Sequence, residues 1–219
     1  LCVDPSSPFS YGSLLGDRIR MNEWYNNQNV FIRSLATRGA LGGLNAKIFE
    51  ITDIIKAAGF DNIIIETVGV GQSEVEIAGI ADVTLLILVP EGGDIIQSMK
   101  AGIMEIADIF VVNKSDRPDA ETFINNLKKI IHNTASHKEI ATPILKTTAS
   151  EKKGVPELFN EINKYLQRPV TNEKQSFLLT ERAWQLIQKK RMRGINKEEL
   201  HKKIKENKVT NLYSFLENY

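Results

Sequence analysis

The stretch Ile109-Phe110-Val111-Val112-Asn113-Lys114-Ser115-Asp116 decides the fold of this chain. Its first four residues are apolar and rich in Val and Ile, which is typical of a strand buried on both faces of a parallel sheet. The next four are polar residues that are common in loops. In open parallel sheets, the ligand crevice lies beyond the carboxyl ends of the strands. The stretch therefore predicts a buried parallel strand that ends at a ligand site.

The polar half of this stretch indicates which ligand it could bind. Asp116 could accept two hydrogen bonds from guanine, one from the ring N–H and one from the exocyclic amino group, and adenine has no such pair of donors. A site built for these donors rejects the analogue that lacks them. The alternative interpretation is a strand followed by a plain polar turn, because Asn, Lys, Ser and Asp are all ordinary loop residues.

Strands and helices alternate on both sides of this stretch. Short apolar runs predict strands at 1–4, 63–65, 83–89 and 144–145, and helical spacing predicts helices near 44–55, 95–106, 118–131 and 156–166. This alternation predicts an α/β domain, with a mostly parallel sheet and flanking helices, over residues 1–168. Residues 169–219 are predicted to form an α-helical C-terminal extension, in which Asn196 and Thr210 cap helices.

Composition limits the class of protein. A single cysteine, Cys2, excludes an internal disulfide framework and fits a reducing cytoplasm. The longest apolar run, 83–89, is too short to cross a membrane. Residues 170–219 hold 11 Lys and Arg against 6 Asp and Glu. Such a basic tail can contact nucleic acid or an acidic partner, but more often it is a solvated helical face. We expect a cytoplasmic protein without a nucleic-acid or membrane partner.

Three further segments carry candidate chemistry. Glu66 begins a glycine-containing loop after a predicted strand, where its carboxylate could hold a magnesium-bound water or act on an attacking water. Thr148-Ala149-Ser150 follow the last predicted strand, and in GTPases such a motif offers a backbone N–H to the guanine carbonyl oxygen. The block from Val3 to Arg18 contributes Asp4 and Asp17, which either reach a magnesium shell as a mobile switch or serve as a turn former and a helix cap.

Three segments carry a resemblance to a known family: the opening block, Arg38-Gly39-Ala40-Leu41-Gly42-Gly43, and the segment from Ile65 to Glu74. Together they resemble the methylmalonyl-CoA mutase-associated GTPases. This MeaB/ArgK-type family is also labelled as the lysine/arginine/ornithine (LAO/AO) transport system kinases. The resemblance implies a P-loop NTPase G-domain of the SIMIBI type that binds GTP/GDP and Mg²⁺. It further implies a homodimer, joined by the C-terminal extension, that acts as a chaperone for an adenosylcobalamin-dependent methylmalonyl-CoA mutase, with an adenosyltransferase as a further candidate partner.

The resemblance also implies roles for individual residues. Asp4, Asp17 and Glu66 would belong to the metal and water shell. Glu66, Gln72 and Lys100 are the catalytic candidates, although Lys100 could equally be an exposed helix lysine. The nucleotide-binding candidates are Asn113, Lys114, Asp116, Thr148, Ala149, Ser150 and Gly69.

One motif of this family, Gly-x-x-x-x-Gly-Lys-Ser/Thr, does not occur in the 219 residues. That loop supplies backbone N–H groups and a lysine to the phosphates and a hydroxyl ligand to magnesium. We therefore expect a chain that is truncated before its first strand and P-loop, binds guanine nucleotides weakly and hydrolyses GTP negligibly. Three alternatives stay open: a non-catalytic module for partner binding and dimerisation, a metal-insertion GTPase of the hydrogenase or urease type, and the transport kinase.

Overall fold

The computed structural model describes residues 1–4, 21–36, 45, 47–67, 74–91, 103–134, 142–168 and 172–216. These residues form a mixed α/β structure with parallel strands, which confirms the predicted class. The chain separates into two compact units, Leu1–Leu178 and Leu179–Tyr219. The boundary predicted at 168/169 adjoins residues 169–171, which lie outside the described part, and it stays a prediction.

In the first unit, strands and helices alternate as the sequence pattern predicts, and a strand that was not predicted, at Ser34–Ala36, adds to them. Its strands are β1 (Cys2–Asp4), β2 (Ser34–Ala36), β3 (Leu85–Leu88), β4 (Ile109–Val112) and β5 (Ile144–Lys146). Its helices are α1 (Ile48–Ala57), α2 (Ile103–Ile106), α3 (Ala120–Thr134) and α4 (Val155–Leu166), and α5 (Asn172–Arg191) begins in this unit. Of the helix predicted near 95–106, only its last turn, α2, falls among the described residues.

Strand β4 is the middle strand of a parallel β3-β4-β5 sheet, and β1 pairs in parallel with β2. All four residues of β4 are at most 2% exposed. A central parallel strand is covered on both faces, so it needs apolar side chains at every position rather than at alternate ones. The prediction of a buried parallel strand at 109–112 is therefore confirmed.

Helix α3 covers one face of this sheet. Its buried residues Ala120, Phe123, Ile124 and Leu127 recur at three- and four-residue intervals, which places them on one side of the helix. Phe123, Ile124 and Leu127 pack in one cluster with residues of β3 and β4, which include Leu88, Phe110 and Val112. A second cluster joins β1, β2 and α1 through Val3, Leu35 and Ile48, together with Ile77.

Tyr165 fixes α4 at the sheet end opposite the polar loop that follows β4. Its hydroxyl donates a hydrogen bond to Asp108, directly before β4, and the other oxygen of that carboxylate accepts from the Thr84 N–H at 2.9 Å. Burial, and secondly the bond to Asp108, raise the pKa of the Tyr165 phenol. The phenol therefore stays a neutral donor, and α4 stays linked to the amino ends of β3 and β4.

The prediction of a buried strand at 63–65 is wrong. Residues 63–66 run extended beside β1, with a hydrogen bond from the Glu66 N–H to the Leu1 carbonyl at 2.8 Å, but among the described residues their one β-bridge is Cys2–Glu66. Ile64 is 79% exposed, whereas Ile65 packs against the cluster around Val3. Successive side chains of an extended segment face opposite sides, so only one side of this apolar triplet is covered by described residues.

The second unit is helical in its described part, as the sequence pattern predicts. It holds the rest of α5, then α6 (Lys197–Glu206) and α7 (Leu212–Leu216). The Asn196 side chain accepts from the Glu198 N–H at 2.8 Å, which confirms this cap. The predicted Thr210 cap is wrong, because Asn211 lies next to α7 and its side chain accepts from Tyr213 N and Ser214 N.

Exposed apolar side chains mark the helices of the second unit. Trp184 is 58% exposed and Leu212 is 52% exposed. The dimer contact implied by the resemblance remains a prediction for this segment. In the part of the chain that the structure describes, no helix combines the length and the apolar character that a membrane span needs.

Replacing Leu127 with Ala should destabilise the first unit by about 3 kcal/mol, because it removes a fully buried side chain beneath the sheet and leaves a cavity. The neighbouring Lys128→Ala substitution is the matched control, since Lys128 is exposed on the same helix. Urea unfolding followed by circular dichroism measures both free energies of unfolding. Equal losses in the two variants would contradict the packing described for α3.

Candidate functional site

Two polar loops lie side by side at the carboxyl ends of β4 and β5. The first, the β4 loop, comprises residues 113–117, and the second, the β5 loop, comprises residues 147–154. Because β4 and β5 are adjacent and parallel, their carboxyl ends meet at one edge of the sheet. The Thr147 N–H continues the ladder by donating to the Val112 carbonyl at 2.9 Å. The structure thus brings Asn113, Lys114, Asp116 and the Thr148-Ala149-Ser150 motif together.

Asn113 joins the two loops through its side-chain oxygen. This oxygen accepts from the Thr147 hydroxyl at 3.1 Å and from the Ala149 N–H at 3.1 Å. Ser115 adds two contacts: its N–H donates to the Thr147 carbonyl at 3.0 Å, and its hydroxyl lies 3.3 Å from that of Thr148. Because Thr147 and Thr148 are buried, these partners also satisfy polar groups that would be costly to leave unpaired.

The β4 loop turns sharply at Lys114, which has a left-handed backbone with φ +56°. A non-glycine residue adopts this conformation at a cost and keeps it only where neighbouring contacts impose it. Here the Arg117 N–H donates to the Lys114 carbonyl at 3.1 Å and closes the turn. The exposed Asp116 lies within this turn, where its carboxylate is accessible to a ligand.

The β5 loop is held by its own backbone. The Thr148 N–H donates to the Lys153 carbonyl at 3.0 Å, and the Glu151 N–H donates to the Thr148 carbonyl at 3.0 Å. Gly154 ends the loop with φ +74°, and a Cβ on this residue would lie 2.0 Å from the Lys146 carbonyl oxygen. Only glycine combines this backbone conformation with such a close approach.

The predicted metal-side residues are described only in part. Asp4 ends β1, and Glu66 is paired with the same strand through a hydrogen bond from the Val3 N–H to the Glu66 carbonyl at 2.8 Å. Asp17, Gly69, Gln72 and Lys100 lie outside the described residues. Within the described ranges, no three His, Cys, Asp or Glu side chains converge as a metal site. The set of Asp4, Asp17 and Glu66 stays a prediction.

Sequence reasoning missed Glu91, which follows β3. Its carboxylate oxygens lie 3.1 Å from Arg117 Nε and 3.7 Å from Lys114 Nζ. It also missed the pair between Glu151 and Lys153, with a distance of 2.5 Å between Oε2 and Nζ. The position of Glu91 just beyond a strand end was the available signal, since such positions in parallel sheets face the ligand crevice.

An apolar groove of about 450 Å³ lies in another part of the first unit, with Trp24, Phe31, Phe60 and Ile63 among its lining residues. Of the predicted site residues that the structure describes, only Glu66 lines it. The groove is therefore separate from the β4 and β5 loops.

Comparison with known proteins agrees with this arrangement. The family model described as "Methylmalonyl Co-A mutase-associated GTPase MeaB" matches residues 1–209. The chain belongs to this family. The description of the family names a GTPase, and the β4 and β5 loops are the candidate base site of this chain.

Individual relatives of the MeaB family are similar over most of this chain. A Pyrococcus abyssi protein named "Putative GTPase" is 44% identical over 197 residues, which are 88% of this chain and 57% of that protein. "GTPase ArgK" of Escherichia coli is 39% identical over 74% of this chain and 50% of its own length. "Methylmalonic aciduria type A homolog, mitochondrial" of Mus musculus is 38% identical over 75% of this chain and 41% of its own length. The chain spans about half the length of the curated relatives it matches.

Replacing Gly154 with Ala should destabilise the first unit by about 3 kcal/mol, because it adds a backbone clash to the strain of a positive φ. Gly59→Ala is the matched control, since Gly59 has φ +83° and nothing within 4 Å of an added Cβ. It should lose only about 1 kcal/mol from the strain of its positive φ. Thermal and urea unfolding measure both variants, and equal losses would argue against the close approach at Lys146.

Proposed function

We propose that this chain supplies the guanine-reading part of a GTPase that serves an adenosylcobalamin-dependent methylmalonyl-CoA mutase. One observation carries the proposal: the Asn113 side-chain oxygen accepts hydrogen bonds from both Thr147 and Ala149. That contact makes the β4 and β5 loops one preformed surface beyond the sheet edge. Preformed polar groups lose less entropy when a ligand binds, and they discriminate better between related ligands.

Base recognition would depend on Asp116 and the β5 loop. The Asp116 carboxylate would accept two charge-assisted hydrogen bonds from the ring N–H and the amino group of guanine. A backbone N–H of the Thr148-Ala149-Ser150 segment would meet the guanine carbonyl oxygen, where adenine carries an amino group instead. Lys114 would lie beside the base and contribute the apolar stem of its side chain. Adenine would leave the Asp116 carboxylate without its donors.

Hydrolysis would depend on the residues near β1. Glu66 and Asp4 belong to neighbouring extended segments and carry the carboxylate oxygens that Mg²⁺ prefers, and Asp17 would complete the set. When bound, Mg²⁺ would neutralise phosphate charge and orient water. Glu66 would orient the attacking water, with Gln72 in the adjacent switch and Lys100 towards the nucleotide or the partner. Gly69 would let the backbone approach the phosphates.

The proposed partner follows from the family. Its description associates these GTPases with methylmalonyl-CoA mutase, and the mouse relative is named for methylmalonic aciduria type A. GTP hydrolysis would gate loading of the cobalamin cofactor, with an adenosyltransferase as a further partner, and would protect the mutase. The helical segment 169–219, with its exposed apolar side chains, would join two copies of the protein.

Asp116→Asn should change which base is bound. The chain should prefer GDP over ADP by at least about tenfold, because only guanine supplies both donors to Asp116. The variant should bind GDP about 100-fold more weakly, since it loses two charge-assisted hydrogen bonds, and should gain affinity for xanthosine diphosphate. Competition against a fluorescent guanine nucleotide measures all three affinities.

Asp119→Asn is the matched control, because Asp119 is an exposed carboxylate just beyond the β4 loop and next to α3. This control variant should show the same preference for GDP over ADP as the parent chain. Unchanged selectivity in Asp116→Asn would remove this carboxylate from base recognition. Equal affinity of the parent chain for GDP and ADP would overturn the proposed function.

The partner is tested separately from base recognition. The chain should be retained by immobilised methylmalonyl-CoA mutase in at least one of three states: nucleotide-free, with GDP, or with a non-hydrolysable GTP analogue. An unrelated acyl-CoA enzyme on the same support is the control. Absence of retention in all three states would argue against the mutase as the partner of this part of the protein.

A further inference from the structure

Three cationic residues belong to the two loops that surround Asp116: Lys114, Arg117 and Lys153. Lys114 and Arg117 belong to the same tight turn as Asp116, and the Lys153 ammonium is close enough for the charge of Asp116 to raise its pKa. Among the described residues, none of these cations forms an ion pair with Asp116. Lys114 and Arg117 are both paired with Glu91, and Lys153 is paired with Glu151.

Glu91 pairs with two of these cations. It follows β3, the strand next to β4, and its side chain reaches the β4 loop. One carboxylate oxygen lies 3.1 Å from Arg117 Nε, and the other lies 3.7 Å from Lys114 Nζ. The carboxylate of Glu91 thus forms an ion pair with both cations of the turn.

Glu151 pairs with the third cation from within the β5 loop. Its Oε2 lies 2.5 Å from Lys153 Nζ. This hydrogen bond is the main cause of the raised pKa of Lys153, and the attraction to Asp116 is a smaller one. Lys153 therefore stays charged, but its ammonium is directed to Glu151.

We propose that Glu91 and Glu151 are positioning residues that hold these cations away from Asp116 and so leave its carboxylate unpaired for guanine. The inference rests on the proposed guanine site. A guanidinium binds a carboxylate through the same in-plane oxygen positions that the two guanine donors need. Arg117, the residue after Asp116, is the strongest competitor, so its pairing with Glu91 matters most.

Glu91→Gln tests this arrangement in the full 219-residue chain. Release of Lys114 and Arg117 should lower GDP affinity by about threefold to fivefold, the upper end of the range expected for a competing exposed ion pair. The preference for GDP over inosine diphosphate, which lacks the amino group, should fall in parallel. Adding Arg117→Gln should restore the parent affinity, because it removes the competing guanidinium. A purely structural role for Glu91 would not produce this rescue.

Two further variants make the result specific to Asp116. In the Asp116→Asn background, Glu91→Gln should leave the affinity for xanthosine diphosphate unchanged, because no carboxylate remains to be occupied. Glu121→Gln is the matched control: Glu121 pairs with Lys146, an exposed pair between α3 and β5 outside the two loops. It should leave GDP affinity at the parent value.

The outcomes separate this inference from the proposed function. If the parent chain prefers GDP over ADP but Glu91→Gln binds GDP normally, or if Arg117→Gln fails to restore the affinity, the positioning role is overturned and the guanine site stands. The positioning role is also overturned, and the guanine site stands, if Glu91→Gln still lowers the affinity for xanthosine diphosphate in the Asp116→Asn background. If the parent chain shows no guanine preference, the proposed function fails, and the inference fails with it.

Discussion

The hydrogen bonds accepted by the Asn113 side-chain oxygen are the interaction on which the candidate site depends. Parallel pairing of β4 and β5 brings the two loops to one edge, but pairing alone does not fix their conformation. The Asn113 oxygen does so, because it accepts from the Thr147 hydroxyl and from the Ala149 N–H. Thr147 is buried, so leaving its hydroxyl unpaired would cost about 1–3 kcal/mol. The contact therefore stabilises the fold and orders the ligand surface together.

This arrangement works because the sheet beneath it is rigid. Strand β4 is buried on both faces, and α3 packs Phe123 and Leu127 against the same cluster. At the opposite end, Asp108 links the starts of β3 and β4 to Tyr165 of α4. Loops carried by such a scaffold can hold polar side chains in a fixed geometry while remaining open to ligand. The packing around β4 thus both forms the core and holds the loops of the site in place.

The sequence predicted those features that a local pattern determines. An unbroken apolar run identified β4, because only a strand covered on both faces needs one. The triplet 63–65 misled the same reasoning, since three isoleucines do not reveal that the described residues cover only one side of the segment. The choice between Thr210 and Asn211 as a cap depends on one residue of register, which periodicity does not resolve. Glu91 was missed because its partners come from another loop, and pairing between loops is set by the tertiary fold.

The exposure of Asp116 affects how such a site could discriminate between bases. A buried carboxylate rejects adenine through the cost of remaining unsatisfied, but an exposed one is hydrated before the ligand arrives, which reduces that cost. Selectivity must then come from geometry and from the charges near the carboxylate at the moment when the base displaces water. The neighbouring cations attract the carboxylate, so any of them that bound it directly would compete with the base. Because Arg117 is paired with Glu91 and Lys153 with Glu151, the carboxylate of Asp116 stays accessible to the base.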